Sequence, residues 1–293
     1  MEESVATDVD EKLRARSIFA HINRRVGVYS VGVRVVIPDG REAIWDNDGA
    51  SGLEAMVLRD GVLVGFVPDS LMKIAMVKAG EHPPFPVVLH MHAVVMGSFL
   101  LLLLTQSVLM ATGRTEQHKK LGILSFALVP VLVVVGLVLA PTIYHTVWQG
   151  AHFGPPPVRA ALTPVVHDLE NILLMQIRIG ILFPLFMIIG LRARTGNAGL
   201  HKRMMFLGTA VPLPAAIDRM SWLPTTLPAS PVATDLWILV ALSPMFIWDV
   251  VRNRRVHEAY WIWLAVYVPV ALVAYRLWDT PWWHATARHI MGV

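Results

Sequence analysis

The chain has 293 residues, of which 55% are hydrophobic and only 16% charged, with 25 Lys and Arg against 21 Asp and Glu. A mean hydropathy of +0.55, gathered into long apolar blocks, excludes a pair of soluble domains and points to an integral membrane protein whose first partner is the lipid bilayer. The absence of cysteine excludes disulfides, thiolate ligands and iron–sulfur clusters, and a net charge of +4 carried mostly in short loops fits membrane orientation rather than nucleic-acid binding.

Residues 1–85 read as a region apart. The first seventeen are acidic and then basic with no apolar core, which is not a signal peptide. Residues 26–38 (VGVYSVGVRVVIP) are rich in β-branched side chains and predict a strand, and 39–52 (DGREAIWDNDGASG) carry turn chemistry. Residues 61–67 (GVLVGFV) are too short to span a bilayer, so the region predicts a small β and amphipathic segment.

Residues 86–293 predict an all-α transmembrane bundle of about six helices in three helical hairpins. About 20 apolar residues at ~1.5 Å each cross a ~30 Å hydrocarbon core. By that measure the spans are 87–111, 121–141, 167–191, 203–223, 233–251 and 258–278. Between the second and third lies a predicted loop, 141–164, containing GPPP, with Tyr144 and Trp148 at interfacial depth. Pro130, Pro184, Pro212, Pro214, Pro244 and Pro269 predict kinks, because a membrane helix tolerates proline where neighbours satisfy the freed carbonyls. The tail DTPWWHATARHIMGV is aromatic and is expected to lie in the interface.

Loop charge predicts the orientation. The turns at 113–120, 192–203 and 252–256 hold Arg114, Lys119, Lys120, Arg192, Arg194, Lys202, Arg203, Arg252, Arg254 and Arg255, whereas loops 141–166 and 224–235 hold only Arg159. Basic short loops stay in the cytoplasm, so these turns are expected inside a bacterial inner membrane, with both termini outside. The basic residues Lys12, Arg14, Arg16, Arg24 and Arg25 run against that placement; a seventh, N-terminal span would reconcile it, and no stretch qualifies. Each basic turn also carries a histidine (His118, His201, His257) ahead of the next helix, which suggests a repeated hairpin.

This topology sorts the histidines into two layers. His90, His92, His145, His152, His167, His284 and His289 fall toward the outer face, and His118, His201 and His257 toward the inner. Neutral imidazole ligates haem iron or a bare transition metal, and bundles build such sites from facing helices; histidines also settle at interfaces with no ligand at all. In the first span His92, Met96, Phe99, Leu103, Gln106 and Met110 share one face.

Arg178 is predicted near the middle of the third span, where a charge costs ~2.5–3.5 kcal/mol on insertion scales. Its expected partners are Glu170 and Asp218. It reads either as a site for an anionic group (a haem propionate, a quinone head group, a lipid phosphate) or as half of a structural ion pair. Asp218 and Arg219 interrupt the fourth span and are candidates for the outer site, while Asp249 is expected at the interface. The scattered methionines read as packing rather than copper ligands. No HExxH, P-loop or GxSxG is present, so no soluble-enzyme motif points to a catalytic chemistry beyond membrane electron transfer.

Two resemblances follow from these residues. The stretch PPFPVVLHMHAVVMGSFLLLLLTQSVLMATGRTEQHKKLG, with HKRMMFLGTA and the Arg of AIDRMSWLP further on, resembles a group of uncharacterised bacterial multi-pass membrane proteins over roughly 60–250; it implies a fold and no activity. The order of histidines along four consecutive helices is also similar to that of two-haem transmembrane b-type cytochromes of the ascorbate-reductase class. That resemblance implies an outer haem b between His92 and His167 and an inner one between His118 and His201, with His90 as an alternative to His92. Here the histidines lie nearer helix ends than such ligands usually do. The function expected first is therefore electron transfer in the membrane through haem b held by His92, His118, His167 and His201, with Arg178 on an anionic group and a quinone or other small molecule as partner. The alternatives are a non-enzymatic carrier or sensor for a small anionic or amphipathic ligand, and a structural membrane subunit.

Overall fold

The computed structural model describes residue 11 and residues 20–24, 31–36, 42–45, 66–67, 69–80, 84–220 and 222–293. The N-terminal region contains an antiparallel sheet in the order β1 (Ala20–Arg24), β2 (Val31–Val36), β3 (Glu42–Trp45). In register, Ile22 pairs with Val33, and Val33 with Trp45. The β-branched run thus supplies the central strand. Glu42–Trp45, inside the stretch read as turns, is a third strand. Most of 39–52 and of 61–67 lies outside the described residues. A helix over 69–78 follows; Asp69 bonds both Lys73 (2.8 Å) and Arg219 (3.1 Å).

The remaining elements are helices: α1 (Val87–Ala111), α2 (Thr115–Gly122), α3 (Ser125–Phe153), α4 (Pro156–Ala193), α5 (Ala198–Ala210), α6 (Pro214–Ile217), α7 (Val232–Asn253), α8 (Glu258–Leu277) and α9 (Pro281–Met291). Five of them, α1, α3, α4, α7 and α8, are long and apolar enough to cross a membrane. Their outward residues, such as Leu101, Val134, Leu137, Ile181, Ile247 and Leu272, are large, apolar and exposed, as a lipid-facing surface requires.

Two expected boundaries move. The loop expected at 141–164 is only Gly154 and Pro155. Pro141 and Pro164 are absorbed inside α3 and α4, because each removes one donor while packing holds the helix on both sides: Tyr144, Ala151 and Val166 are buried in one cluster. The hairpin closes where Gly154 ends α3 and the proline run opens α4 with its φ preset. Gly150 permits the approach, since a Cβ there would meet Leu162 Cδ1 at 2.5 Å. The fourth expected span, 203–223, is broken instead of kinked: α5 stops at Ala210, and Pro212 and Pro214 leave only the single turn α6. Two prolines two residues apart remove alternate donors and clash with the preceding turn. Thirteen residues at ~1.5 Å each give α5 only ~20 Å, short of a bilayer core.

α5 is instead the centre of the larger core. Met204, Phe206, Leu207 and Ala210 pack among Phe99 of α1, Val129 and Leu132 of α3, Leu182, Phe186 and Met187 of α4, Ile238 of α7 and Trp263 of α8. A second core at the other end joins Tyr144, Leu173 and Met175 to Trp278 and to Trp283 and Ala287 of α9. The tail expected to lie along the interface is therefore a packed helix, started by Thr280 Oγ1 accepting from the Trp283 N–H (3.2 Å) and by Pro281 at its first position.

The three basic turns gather at one end. His118 meets His201, Arg194 lies over the Phe126 ring, and Asn197 bonds Glu258 across to α8.

Candidate functional site

At the opposite end from the basic turns, α4, α9 and the α8–α9 connection converge on Glu170. His167, Glu170 and Asn171 share one face of α4 by their spacing of three and four. Glu170 is 2% exposed, and its carboxylate accepts from Tyr144 Oη (3.2 Å) and Arg288 Nε (3.0 Å) and faces His284 Nδ1 at 2.6 Å. Its own carbonyl takes the Trp283 indole N–H at 2.7 Å. His284 and Arg288 are four apart on α9, so one helix face delivers both groups to the same carboxylate.

The other nitrogen of His284 carries the chemistry. With Nδ1 donating to Glu170, a neutral ring turns its Nε2 lone pair on Asp279 Oδ1, 3.2 Å away. Two acceptors face each other there, and a proton or a cation must lie between them. The His167 ring stacks on that of His284, with centroids 4.1 Å apart and planes at 28°, and its Nε2 is 3.5 Å from the same Asp279 oxygen. One ligand atom each from His167, Asp279 and His284 lies within 4.8 Å of the others.

Asp279 is held in place by its backbone and by Asn171. It adopts φ 57°, a left-handed conformation costly for a residue with a Cβ. Asn171 clamps it from both sides, accepting the Asp279 N–H (2.9 Å) and donating to its carboxylate (3.4 Å). With a proton on His284 Nε2, the hydrogen bonds from that nitrogen and then from Asn171 hold the Asp279 carboxyl below its ordinary range.

The residues expected to form sites are distributed otherwise than expected. Arg178 pairs with neither Glu170 nor Asp218. It forms a two-pronged bond to Asp235 at the start of α7, Nη1 to Oδ2 and Nη2 to Oδ1, both 2.7 Å. Tyr267 Oη (2.7 Å) and Tyr275 Oη also donate to Asp235. The charge of Arg178 is thus matched inside the protein, and its Nε is buried without a hydrogen-bond partner among the described residues. Asp218 accepts from Thr234 Oγ1 (3.1 Å), and Arg219 lies over Phe66 while bonding Asp69. Asp249, expected at the interface, is buried; it takes both Arg203 and Tyr260 Oη (2.6 Å).

Of the two histidine pairs, the inner one is close. His118 and His201 lie with ring centroids 6.4 Å apart, and His201 Nδ1 is 2.8 Å from the Gly190 carbonyl. Gln106, with its amide oxygen toward the Gly122 N–H (2.8 Å), directs its nitrogen at the His118 carbonyl (3.0 Å) and at His118 Nδ1. His118 Nδ1 also lies 3.4 Å from the Gln106 backbone carbonyl. On the outer side the ring facing His167 is that of His284, stacked at 4.1 Å. His92 is half-buried, with Nδ1 unpartnered.

His284 and Asp279 were missed as site residues because both sit in the tail. The usable signal was TPWWHATAR: a capping Thr, Pro at the first helical position, then His and Arg four apart. No family model, characterised protein or solved structure matches this chain.

Proposed function

We propose that the chain is an integral membrane protein that binds a divalent transition-metal ion through His167 Nε2, His284 Nε2 and Asp279 Oδ1. The observation that carries this is the His284 ring, fixed at Nδ1 by buried Glu170 and aimed at a carboxylate by Nε2. A carboxylate behind a histidine is the arrangement that orients metal-bound imidazole and raises its basicity. Two histidines and one carboxylate suit zinc or iron(II) and leave positions open to water or an incoming ligand. His167 and Asp279 have side chains 53% and 56% exposed, so both can turn onto the ion and both can be reached by it. By loop charge the site faces outward and the basic turns face the cytoplasm.

The test is titration of metal-free protein in detergent with Co(II), read by its visible d–d bands, followed by displacement with Zn(II). One equivalent should bind, and His167→Ala and Asp279→Asn, both at exposed positions, should each abolish the bands. Absence of binding by the wild type, or binding unchanged in both variants, overturns the assignment.

Haem b between His118 and His201 is the second reading. It is supported by the approach of the two rings and by the bond that His201 Nδ1 donates to the Gly190 carbonyl, which turns the Nε2 lone pair outward. A reduced-minus-oxidised spectrum without α and Soret bands, from folded protein expressed with haem supplied, ends it.

A further inference from the structure

A cleft of about 450 Å³ opens between the start of α3 and the end of α4, at the end where the basic turns gather. Its apolar wall includes Phe126, Val129, Met187 and Ile188. Phe126 and Ile188 are 47% and 48% exposed, so the wall is open toward the lipid side of the bundle. Its other side carries Arg192, Arg194 and Thr195, and no acidic side chain lines it. Neither guanidinium forms an ion pair among the described residues; Arg194 lies over the Phe126 ring at 5.0 Å, which leaves its N–H edge free to donate. Pro130 also lines the cleft and supplies no N–H to the Phe126 carbonyl, four residues earlier, which leaves an acceptor for a hydroxyl.

We infer that this cleft binds an anionic glycerophospholipid, with the phosphate between Arg192 and Arg194 and one acyl chain along Phe126, Val129 and Ile188. Two unmatched cations beside an apolar trough, at the depth where basic turns meet headgroups, are complementary to that amphiphile and to no zwitterionic one of equal chain length. The site is independent of the metal centre, which lies at the other end of the bundle.

Native mass spectrometry of the detergent-solubilised chain, with phosphatidylglycerol and phosphatidylcholine of identical acyl chains in competition, tests it. The wild type should retain phosphatidylglycerol with a preference on the order of tenfold, the scale that two basic side chains supply at an anionic headgroup. Arg192→Gln with Arg194→Gln should remove the preference. Ile188→Trp keeps both arginines and fills the trough from its exposed wall, so it should weaken retention of both lipids. Arg252→Gln with Arg255→Gln, in the neighbouring basic turn, should change nothing. A wild type without headgroup preference overturns the site. So does an equal loss in the Arg252/Arg255 variant, which would mean general attraction to anionic lipid, and so does displacement of the lipid by inorganic phosphate alone.

Discussion

Replacing Asp235 by Leu while Arg178 stays in place should destabilise the protein by about 3–5 kcal/mol, the usual cost of leaving one member of a buried ion pair uncompensated. The structure puts this pair at the upper end. Arg178 is 2% exposed, its Nε already lacks a partner, and Asp235 is the acceptor for both of its other nitrogens. The Tyr267 and Tyr275 hydroxyls would lose their acceptor as well, at roughly 1–3 kcal/mol for each that stays unsatisfied. At ~1.4 kcal/mol per factor of ten, even the lower figure moves the unfolding equilibrium more than a hundredfold. Arg178→Met alone should cost a similar amount, because it strands the carboxylate. The double variant should lose less than the sum of the two by at least about 2 kcal/mol, since no buried charge then remains. Unfolding in mixed micelles by added SDS, followed by tryptophan emission, reads this directly: Trp263 stacks on Tyr267 at 4.2 Å and reports on the neighbourhood of the pair. Single variants that each cost less than about 1 kcal/mol, or a double variant additive within about 0.5 kcal/mol, would refute the claim that Arg178 is held chiefly by Asp235.

Three further outcomes follow from the geometry. Glu170→Gln should weaken Co(II) binding by about 10–100-fold without touching a ligand, because it loosens the bond that aims His284; the titration described above measures it, and an unchanged affinity would detach Glu170 from the site. Gly208→Val should destabilise by about 1–3 kcal/mol in the same unfolding assay, since a Cβ there would already meet Phe186 Cβ at 3.1 Å and displace the Met187 side chain; a neutral effect would mean α4 and α5 can part freely. His257 caps α8 by accepting the Ala259 N–H at Nδ1 (3.2 Å), and burial, aided by Arg203 and Arg255, lowers its pKa. A base harder to protonate folded than unfolded lends stability in full above its ordinary pKa of about 6.5 and loses it as pH falls through the lower folded value. Thermal stability should therefore drop as pH falls below about 6.5, and His257→Asn, which keeps a capping oxygen, should flatten that limb; an equally steep limb in the variant would place the titration elsewhere.

What the sequence made legible was set by local patterning. The bounds of α1, α7 and α8 follow from apolar length and from Pro86, Pro231 and His257 at their starts, and lie within a residue or two of those expected. α3 and α4 were misread because a proline looks the same to a sequence whether packing overrides it, as at Pro141 and Pro164, or not, as at Pro212 and Pro214. The unusual placement of Arg178 was readable from its charge, but its partner was not. Asp218 is bound to Thr234 Oγ1 in the first turn of α7, and the neighbouring Asp235 on that turn is the carboxylate that reaches Arg178. The cluster around Glu170 was least accessible, because Glu170 and His284 are 114 residues apart and no periodicity links them. The layering of histidines predicted that imidazoles would meet. His118 and His201 lie with ring centroids 6.4 Å apart, and the ring stacked on His167 is that of His284.

The length of α4 has a consequence for how the protein meets its surroundings. Its 38 residues measure ~57 Å, and a ~30 Å hydrocarbon core accounts for about twenty of them. Were α4 to cross a membrane, close to half of its length would lie beyond the hydrocarbon core, and Gly154 and Pro155 close the α3–α4 hairpin at one end. An epitope placed between those two residues would stand well clear of the lipid. It would be readable by antibody from one compartment only, and would fix the sidedness of the whole bundle in intact vesicles.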